Sequence, residues 1–268
     1  MTASPHGHSV HVRIATFNIL HGRSPADDQV DPERFAESVR RLDADVLCLQ
    51  EVDRNQPRSE HADLTAIAAE AMGARDHRFV AALSGTPGAT WLAATGDEQP
   101  DAAAYGVALL SRHEVSGWQV VRLPPVPVRA PVWFAGRRRP EWVRDEPRVA
   151  VAAQVQGPHG ELRITTTHLS FIRWWNFRQL RLLLRSVQDG SAPLVLTGDL
   201  NMDARRASDL TGLRPLASGL TFPADDPEEQ LDHILTDDQR LTISHEQVVS
   251  LPLSDHRALV ADVELVLD

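Results

Sequence analysis

The sequence predicts an α/β (α+β) fold of two packed β-sheets with helices on their outer faces. Three observations carry that expectation. Apolar runs of strand length are many, helical periodicities are few, and several of the runs end in a polar or acidic tip. The apolar fraction, 42% of 268 residues, suffices for one large core. No Pro/Gly/Ser-rich linker divides the chain; its prolines cluster instead at 123–131 and 140–147, which read as loops or edge segments. A single domain over residues 10–268 is expected, after a disordered or irregular stretch over 1–9.

Each element follows from local chemistry. Residues 10–17 alternate and end polar, as a strand does. Asp31-Pro32-Glu33 opens a helix, with Asp as N-cap, Pro in the first turn and an acid near the positive end. Phe35, Val39 and Leu42 then share one helical face. Residues 45–50 are nearly all apolar, the pattern of a strand covered on both faces. Leu64, Ile67, Ala68 and Ala71 mark a second helix stopped by Gly73. Strands are expected at 79–83, 106–111, 118–121, 148–155 and 162–167. A third helix spans 175–188, with Leu180, Leu183, Leu184 and Val187 inward and Gly190 as its stop. Strands at 194–197, 231–235 and 258–266 complete the set.

Composition excludes some roles. A formal charge of −10, from 27 basic and 37 acidic residues, has the wrong sign for a protein that coats nucleic acid non-specifically. Lysine is absent, so arginine is the cation available to grip phosphate in a planar fork, although codon bias explains the same absence. There is no apolar run long enough for a transmembrane helix, and residues 1–10 lack a basic segment followed by an apolar one. A cytoplasmic monomer without a stable protein partner is expected. Cys48, the single cysteine, sits in an apolar run and reads as an inert buried thiol.

The chemistry is concentrated at strand tips: Thr16-Phe17-Asn18, Leu49-Gln50-Glu51, Thr167-His168-Leu169, Gly198-Asp199-Leu200-Asn201, Leu231-Asp232-His233 and Ser254-Asp255-His256. Each member alone has an ordinary explanation: Asn18 as a turn residue, Glu51 as a solvated acid, His168 as a core histidine, Asp255 as a cap. Together they are what phosphoester hydrolysis requires. A divalent ion must polarise the phosphoryl oxygen, and Mg²⁺ takes only one or two protein carboxylates. Donors must hold the non-bridging oxygens, and a base must present water in line. Asp232 lies in an apolar strand where a buried acid needs a partner, and His256 is the obvious candidate.

These blocks, in this order, resemble the signatures of the endonuclease/exonuclease/phosphatase superfamily over residues 13–263, nearly the whole chain. The resemblance implies a four-layer sandwich of the pancreatic-DNase type: two mixed sheets face to face, flanked by helices. It implies a cofactor, Mg²⁺ or alternatively Mn²⁺, with Glu51 as principal ligand, Asn18 assisting at metal and phosphate, and Asp255 supporting His256 or binding metal. It also implies that Asp199 positions or deprotonates water, that Asn201 and His168 meet the phosphate, and that His256 contacts it or acts as acid/base, oriented by Asp232. One departure is visible. Some abasic-site enzymes carry an acid two residues beyond the asparagine equivalent to Asn18, where this chain has Leu20.

Substrate choice belongs to the loops. Residues 170–177 follow His168 and are expected to overhang the site, where Arg173, Trp174 and Trp175 would stack bases or enter a lipid interface, unless one tryptophan simply packs the helix start. Arg137-Arg138-Arg139, flanked by Trp133, Phe134 and Trp142, is a second basic-aromatic segment. Arg148 is the expected extra phosphate contact. Three readings remain: a metal-dependent phosphodiesterase acting on nucleic acid or on a small or lipid phosphodiester, a phosphomonoesterase, and an inactive binding module of the same fold.

Overall fold

The computed structural model describes residues 11–133, 137, 139–158, 160–188, 190 and 192–266. The irregular stretch expected over 1–9, and Phe134 and Arg138 of the arginine-rich segment, lie outside the described residues. In chain order the elements are β1 (Val12–Asn18), α1 (Pro32–Leu42), β2 (Val46–Arg54), α2 (Leu64–Met72), β3 (Asp76–Gly85), β4 (Trp91–Ala93), β5 (Ala104–Ser111), β6 (Val115–Leu123), β7 (Ala130–Val132), β8 (Glu141–Val143), β9 (Arg148–Gly157), β10 (Gly160–His168), α3 (Arg173–Val187), β11 (Leu194–Asp199), α4 (Ala204–Thr211), β12 (Arg214–Ala217), β13 (Asp232–Thr236), β14 (Leu241–Val249) and β15 (Ala258–Leu265).

One sheet has the order β14-β15-β1-β2-β5-β3-β4 and the other β12-β13-β11-β10-β9-β6. Both are mixed. Each holds one parallel pair, β1 with β2 and β10 with β11, joined by a helical crossover through α1 and α3 respectively. A core of Ile14, Val46, Cys48, Leu109, Val151, Ile164, Val195 and Ile234 fills the space between the sheets. On the outer face of the first sheet, Phe35, Val39 and Leu42 of α1 and Leu64 and Ala68 of α2 cover Ala15, Phe17, Leu47 and Leu49. On the outer face of the second, Leu180, Leu183, Leu184 and Val187 of α3 cover Ala150, Ala152, Leu194 and Leu196. Alternation along each strand therefore feeds two different cores, and the result is a four-layer α/β sandwich.

Local signals hold at the helix ends. Asp31 accepts hydrogen bonds from the Glu33 and Arg34 amides, and Asp63 from Ala66, each cap contributing about 1 kcal/mol. Gly73 ends α2 in the left-handed region. The end of α3 differs from expectation: Gln188 already turns extended, so the helix stops before Gly190. Residues 170–177 also differ. The helix expected from 175 begins two residues earlier, at Arg173, so Arg173 and Trp174 join Trp175 in its first turn. The elements unannounced by pattern are short or exposed: β4, β7 and β8 have three residues each and β12 four, α4 buries only Ala207, and β14 is a largely exposed edge strand. Among the described residues no helix is long and apolar enough to cross a membrane.

Candidate active site

The inter-sheet face changes character along each of the parallel strands. Ile14, Thr16 and Asn18 lie on that face of β1; Ile164, Thr166 and His168 on that of β10; Val195, Thr197 and Asp199 on that of β11. Each triplet runs from aliphatic to hydroxyl to a chemically active side chain at the carboxyl end of its strand, the position where open α/β sheets bind ligands. Antiparallel neighbours complete the cluster. Asp232 opens β13 and pairs directly with Asp199. His256 precedes β15, whose Leu259 pairs with Thr16. Between the sheets, Gln50 ties the two tips together, donating to Thr16 Oγ1 at 3.0 Å and Thr166 Oγ1 at 2.9 Å.

Two backbone devices deliver residues that alternation alone would misplace. Glu51 belongs by parity to the outer, helix-covered face with Leu47 and Leu49. A bulge between Leu49 and Val52, with Glu51 at φ 56°, brings its carboxylate to Asn18 instead. Gly198 has φ +125°, and a Cβ there would lie 2.0 Å from the Thr167 carbonyl oxygen. Only glycine lets β11 approach β10 closely enough to set Asp199 beside His168. Non-glycine residues at positive φ also include Leu20, His21, Asn201 and Ser254, all next to the strand tips.

The side chains form one connected cluster. Asn18 Nδ2 donates to Glu51 Oε1 at 3.2 Å and to Asp199 Oδ2 at 3.1 Å. The Asn201 amide donates to Asp199 Oδ1 at 2.9 Å, and Asn201 Nδ2 donates to the Leu169 carbonyl at 2.9 Å. His256 Nδ1 donates to Asp232 Oδ2 at 2.8 Å, which aims Nε2 at Asp199 Oδ2, 3.8 Å away. Arg148 Nη1 donates to His168 Nδ1 at 3.3 Å. A guanidinium has no acceptor, so Nδ1 carries the lone pair and the proton of neutral His168 sits on Nε2, 3.5 Å from Asp199 Oδ2. The backbone about His256 is fixed by Ser254 Oγ, which donates to the Asn18 carbonyl and accepts from the His256 amide.

Electrostatics divide these groups into roles. Burial, reinforced by Asp232, pushes Asp199 up to about 7 against the pull of His256. Burial opposes charge on His256, but the Asp232 carboxylate and its hydrogen bond, then Asp199 and Asp255, outweigh it and hold the ring up at about 10. Burial, with Arg148 and His256 adding to it, lowers His168 well below the usual histidine value and keeps it neutral. Burial also raises Glu51, and Asp255 adds to the rise. Arg148 Nε, Gln50 Oε1 and Asp232 Oδ1 are buried without a protein partner, a local excess of unmet polarity.

The residues expected to act from Asn18, Glu51, His168, Asp199, Asn201, Asp232 and His256 are thus in one place, and Asp255 lies close enough for its charge to reach Glu51 and His256. Arg148 joins them through His168. Among the described residues no hydrogen bond, ion pair or ring contact joins Arg173, Trp174 or Trp175 to the cluster. Trp175 packs on Val126, Ala130 and Ile172 and donates to the Pro124 carbonyl at 2.8 Å, so it is the tryptophan that packs the helix start, while Trp174 is exposed. Arg137 pairs with Glu141 at 3.4 Å. Sequence reasoning missed Tyr105, which is buried with the charges of Glu51 and Arg148 bearing on it. As the only tyrosine of the chain, beside Gly106 at the start of a strand, it could have been found.

The sequence profile of the endonuclease/exonuclease/phosphatase family matches residues 15–256. The chain belongs to this family of phosphoester hydrolases. Among solved structures, an endonuclease/exonuclease/phosphatase from Beutenbergia cavernae is similar at a TM-score of 0.70 and 23% identity, over 96% of this chain and 72% of that one. The mannosyl-6-phosphatase of Bacteroides thetaiotaomicron gives 0.63 and 17%, over 96% and 100%. The human Nocturnin catalytic domain gives 0.62 and 17%, over 96% and 94%. These likenesses concern the fold. No curated protein matches the chain.

Members of the family generally depend on a divalent cation. Among the described residues no three His, Cys, Asp or Glu side chains converge as a ready-made cage, and a magnesium-type site needs none, since one or two carboxylates and waters suffice. The donor set fits such an ion: the Glu51 carboxylate is raised by its burial and by Asp255, and has Asn18 as its hydrogen-bond donor.

Proposed function

We propose that this chain is a divalent-metal-dependent phosphodiester hydrolase, a cytoplasmic monomer whose activity resides in one domain over residues 10–268. The observation that carries the reading is the Asp232–His256···Asp199 arrangement, with one histidine held cationic and the carboxyl beside it raised to about 7. Glu51, with Asn18 and Asp255, would hold Mg²⁺ or Mn²⁺, which supplies charge neutralisation at the phosphoryl oxygen. Asp199, fixed by Asn18 and the Asn201 amide, orients the attacking water and accepts its proton; a base near 7 is suited to that task. Cationic His256 donates from Nε2 to a non-bridging or leaving oxygen, and Asp232 holds its ring in that orientation. Neutral His168 adds a second N–H, and the second N–H of Asn201 Nδ2 a third.

The preference for a diester follows from charge. Among the described residues Arg148 and His256 bring positive charge to the cluster, while Arg58, whose charge also reaches Glu51, is held by Asp53; with the divalent ion, these suit the single negative charge of a diester. A monoester dianion calls for more, and Arg137 instead pairs with Glu141. The similarity to a mannosyl-6-phosphatase keeps the monoester as the second reading. The test is release of p-nitrophenol from bis-p-nitrophenyl phosphate and from p-nitrophenyl phosphate, with Mg²⁺ or Mn²⁺ and with EDTA. We expect EDTA-sensitive turnover favouring the diester, with most of it lost in Asp199→Asn and His256→Ala while folding is nearly intact. Preference for the monoester would replace the diester reading, and full activity in both variants would overturn the assigned roles.

A further inference from the structure

The two-stranded ribbon of β7 and β8 is built inside out. Its register pairs Ala130 with Val143, Pro131 with Trp142 and Val132 with Glu141. By the two-residue alternation of strands, Ala130, Val132 and Val143 face one way, and they pack inward on Val126, Ile172 and Trp175. Pro131 and Trp142 face the other way, as does Trp133 by parity. Trp133 is 66% exposed and Trp142 62%, so the two largest side chains of the ribbon point into solvent while small aliphatic ones serve as its core. Leu92 and Val128 nearby are 63% and 65% exposed. Soluble surfaces scatter such residues singly; a group of them marks a surface built to be covered.

Charge on this face runs against the rest of the molecule. Among the described residues, Arg129, Arg139 and Arg144 are exposed here and Arg137 pairs with Glu141, while Asp145 is buried and Glu146 is engaged by Trp91 and Arg148, in a chain whose formal charge is −10. Next to the paired residues Ala130 and Val143, exposed Arg129 and Arg144 immediately adjoin the ribbon. Both line a groove of about 570 Å³ with Trp91, Leu92, Val126 and Glu146. Contacts through the groove wall tie it to the active-site cluster: Trp91 Nε1 donates to Glu146 Oε1 at 3.0 Å, Glu146 Oε2 lies 3.9 Å from Arg148 Nη2, and Arg148 Nη1 donates to His168.

We propose that this face docks the enzyme on an anionic lipid bilayer. Tryptophan rings enter the headgroup region, Leu92 and Val128 bury beside them, and the arginines meet acidic headgroups. The exposed Leu92 and Val128 favour lipid over nucleic acid, whose bases stack on aromatic rings and have no use for aliphatic side chains. The inference rests on the phosphodiesterase reading only in taking a bilayer phosphodiester as the substrate.

Sedimentation with vesicles tests it, because it is read without turnover. The wild type should pellet with phosphatidylcholine vesicles containing phosphatidylglycerol and remain largely in solution with phosphatidylcholine alone. Trp133→Ala with Trp142→Ala should weaken partitioning by roughly tenfold or more, and Arg129→Gln with Arg144→Gln by a similar factor. Both double variants should keep wild-type turnover of bis-p-nitrophenyl phosphate, which also shows that they fold. No pelleting, equal pelleting on both vesicles, or unchanged pelleting in the variants would overturn the proposal. So would binding of a single-stranded oligonucleotide that the same substitutions abolish while vesicles are ignored. Loss of soluble turnover in the wild type would count against the catalytic reading and leave the docking result standing.

Discussion

Replacing Gly198 with alanine tests whether the close approach of β10 and β11 is what the Gly-Asp-Leu-Asn segment requires. The new Cβ would stand 2.0 Å from the Thr167 carbonyl oxygen, where ordinary contact begins near 3.4 Å, so the strands must part by more than an ångström. Thr167 and Gly198 are register partners in this parallel pair. Weakening one or two ladder hydrogen bonds costs about 1 kcal/mol each. Holding a non-glycine residue at φ +125° adds about 1–3 kcal/mol. The stiffer unfolded chain returns about 0.5–1 kcal/mol. The net expectation is a loss of roughly 2–4 kcal/mol, a large part of the stability of a typical domain. Gly73→Ala is the control: φ is +68° there and the new Cβ meets nothing within 4 Å, so only about 1 kcal/mol should be lost. Urea unfolding of both variants measures the difference. Turnover of Gly198→Ala should fall further than its folded fraction, because Asp199 and His168 move apart with the strands. Equal costs for the two substitutions would refute the reasoning.

Two further outcomes follow from burial and charge. Glu51→Gln should raise the magnesium concentration needed for half-maximal turnover, and an unchanged titration would remove Glu51 as ligand. Burial pushes the Cys48 thiol up to about 12 from 9.0. In mildly alkaline buffer the native protein should therefore resist a thiol-selective disulfide reagent that labels the guanidinium-denatured chain at once; rapid labelling of the folded protein would contradict its burial. The sign for stability follows: the unfolded thiol ionises first, so its contribution is complete below 9.0 and lost as pH rises toward 12.

The sequence alone determined the strands that carry the chemistry, because a strand covered on both faces must be apolar along its length and can turn polar only where it leaves the core. That rule exposed the tips at Asn18, His168 and Asp199, and the need of buried Asp232 for a partner singled out His256, which lies 2.8 Å away. Capping chemistry likewise marked the start of α1 at Asp31 and the end of α2 at Gly73, while the Asp63 cap of α2 emerged only from the structure. Tertiary structure alone decided the rest. Glu51 reads by parity as facing the helices, and only the bulge formed by pairing with β5 turns it inward. Asn18 reaches Glu51 33 residues away and Asp199 181 residues away, and Arg148 finds His168 because β9 and β10 are neighbours. Trp142 of β8 and Trp133, just past β7, were legible as a composition, while their exposure depended on which strand each three-residue segment paired with. Periodicity reports what a residue's immediate neighbours require. Register, bulges and cross-sheet contacts are set by residues far away in sequence, and no local pattern encodes them.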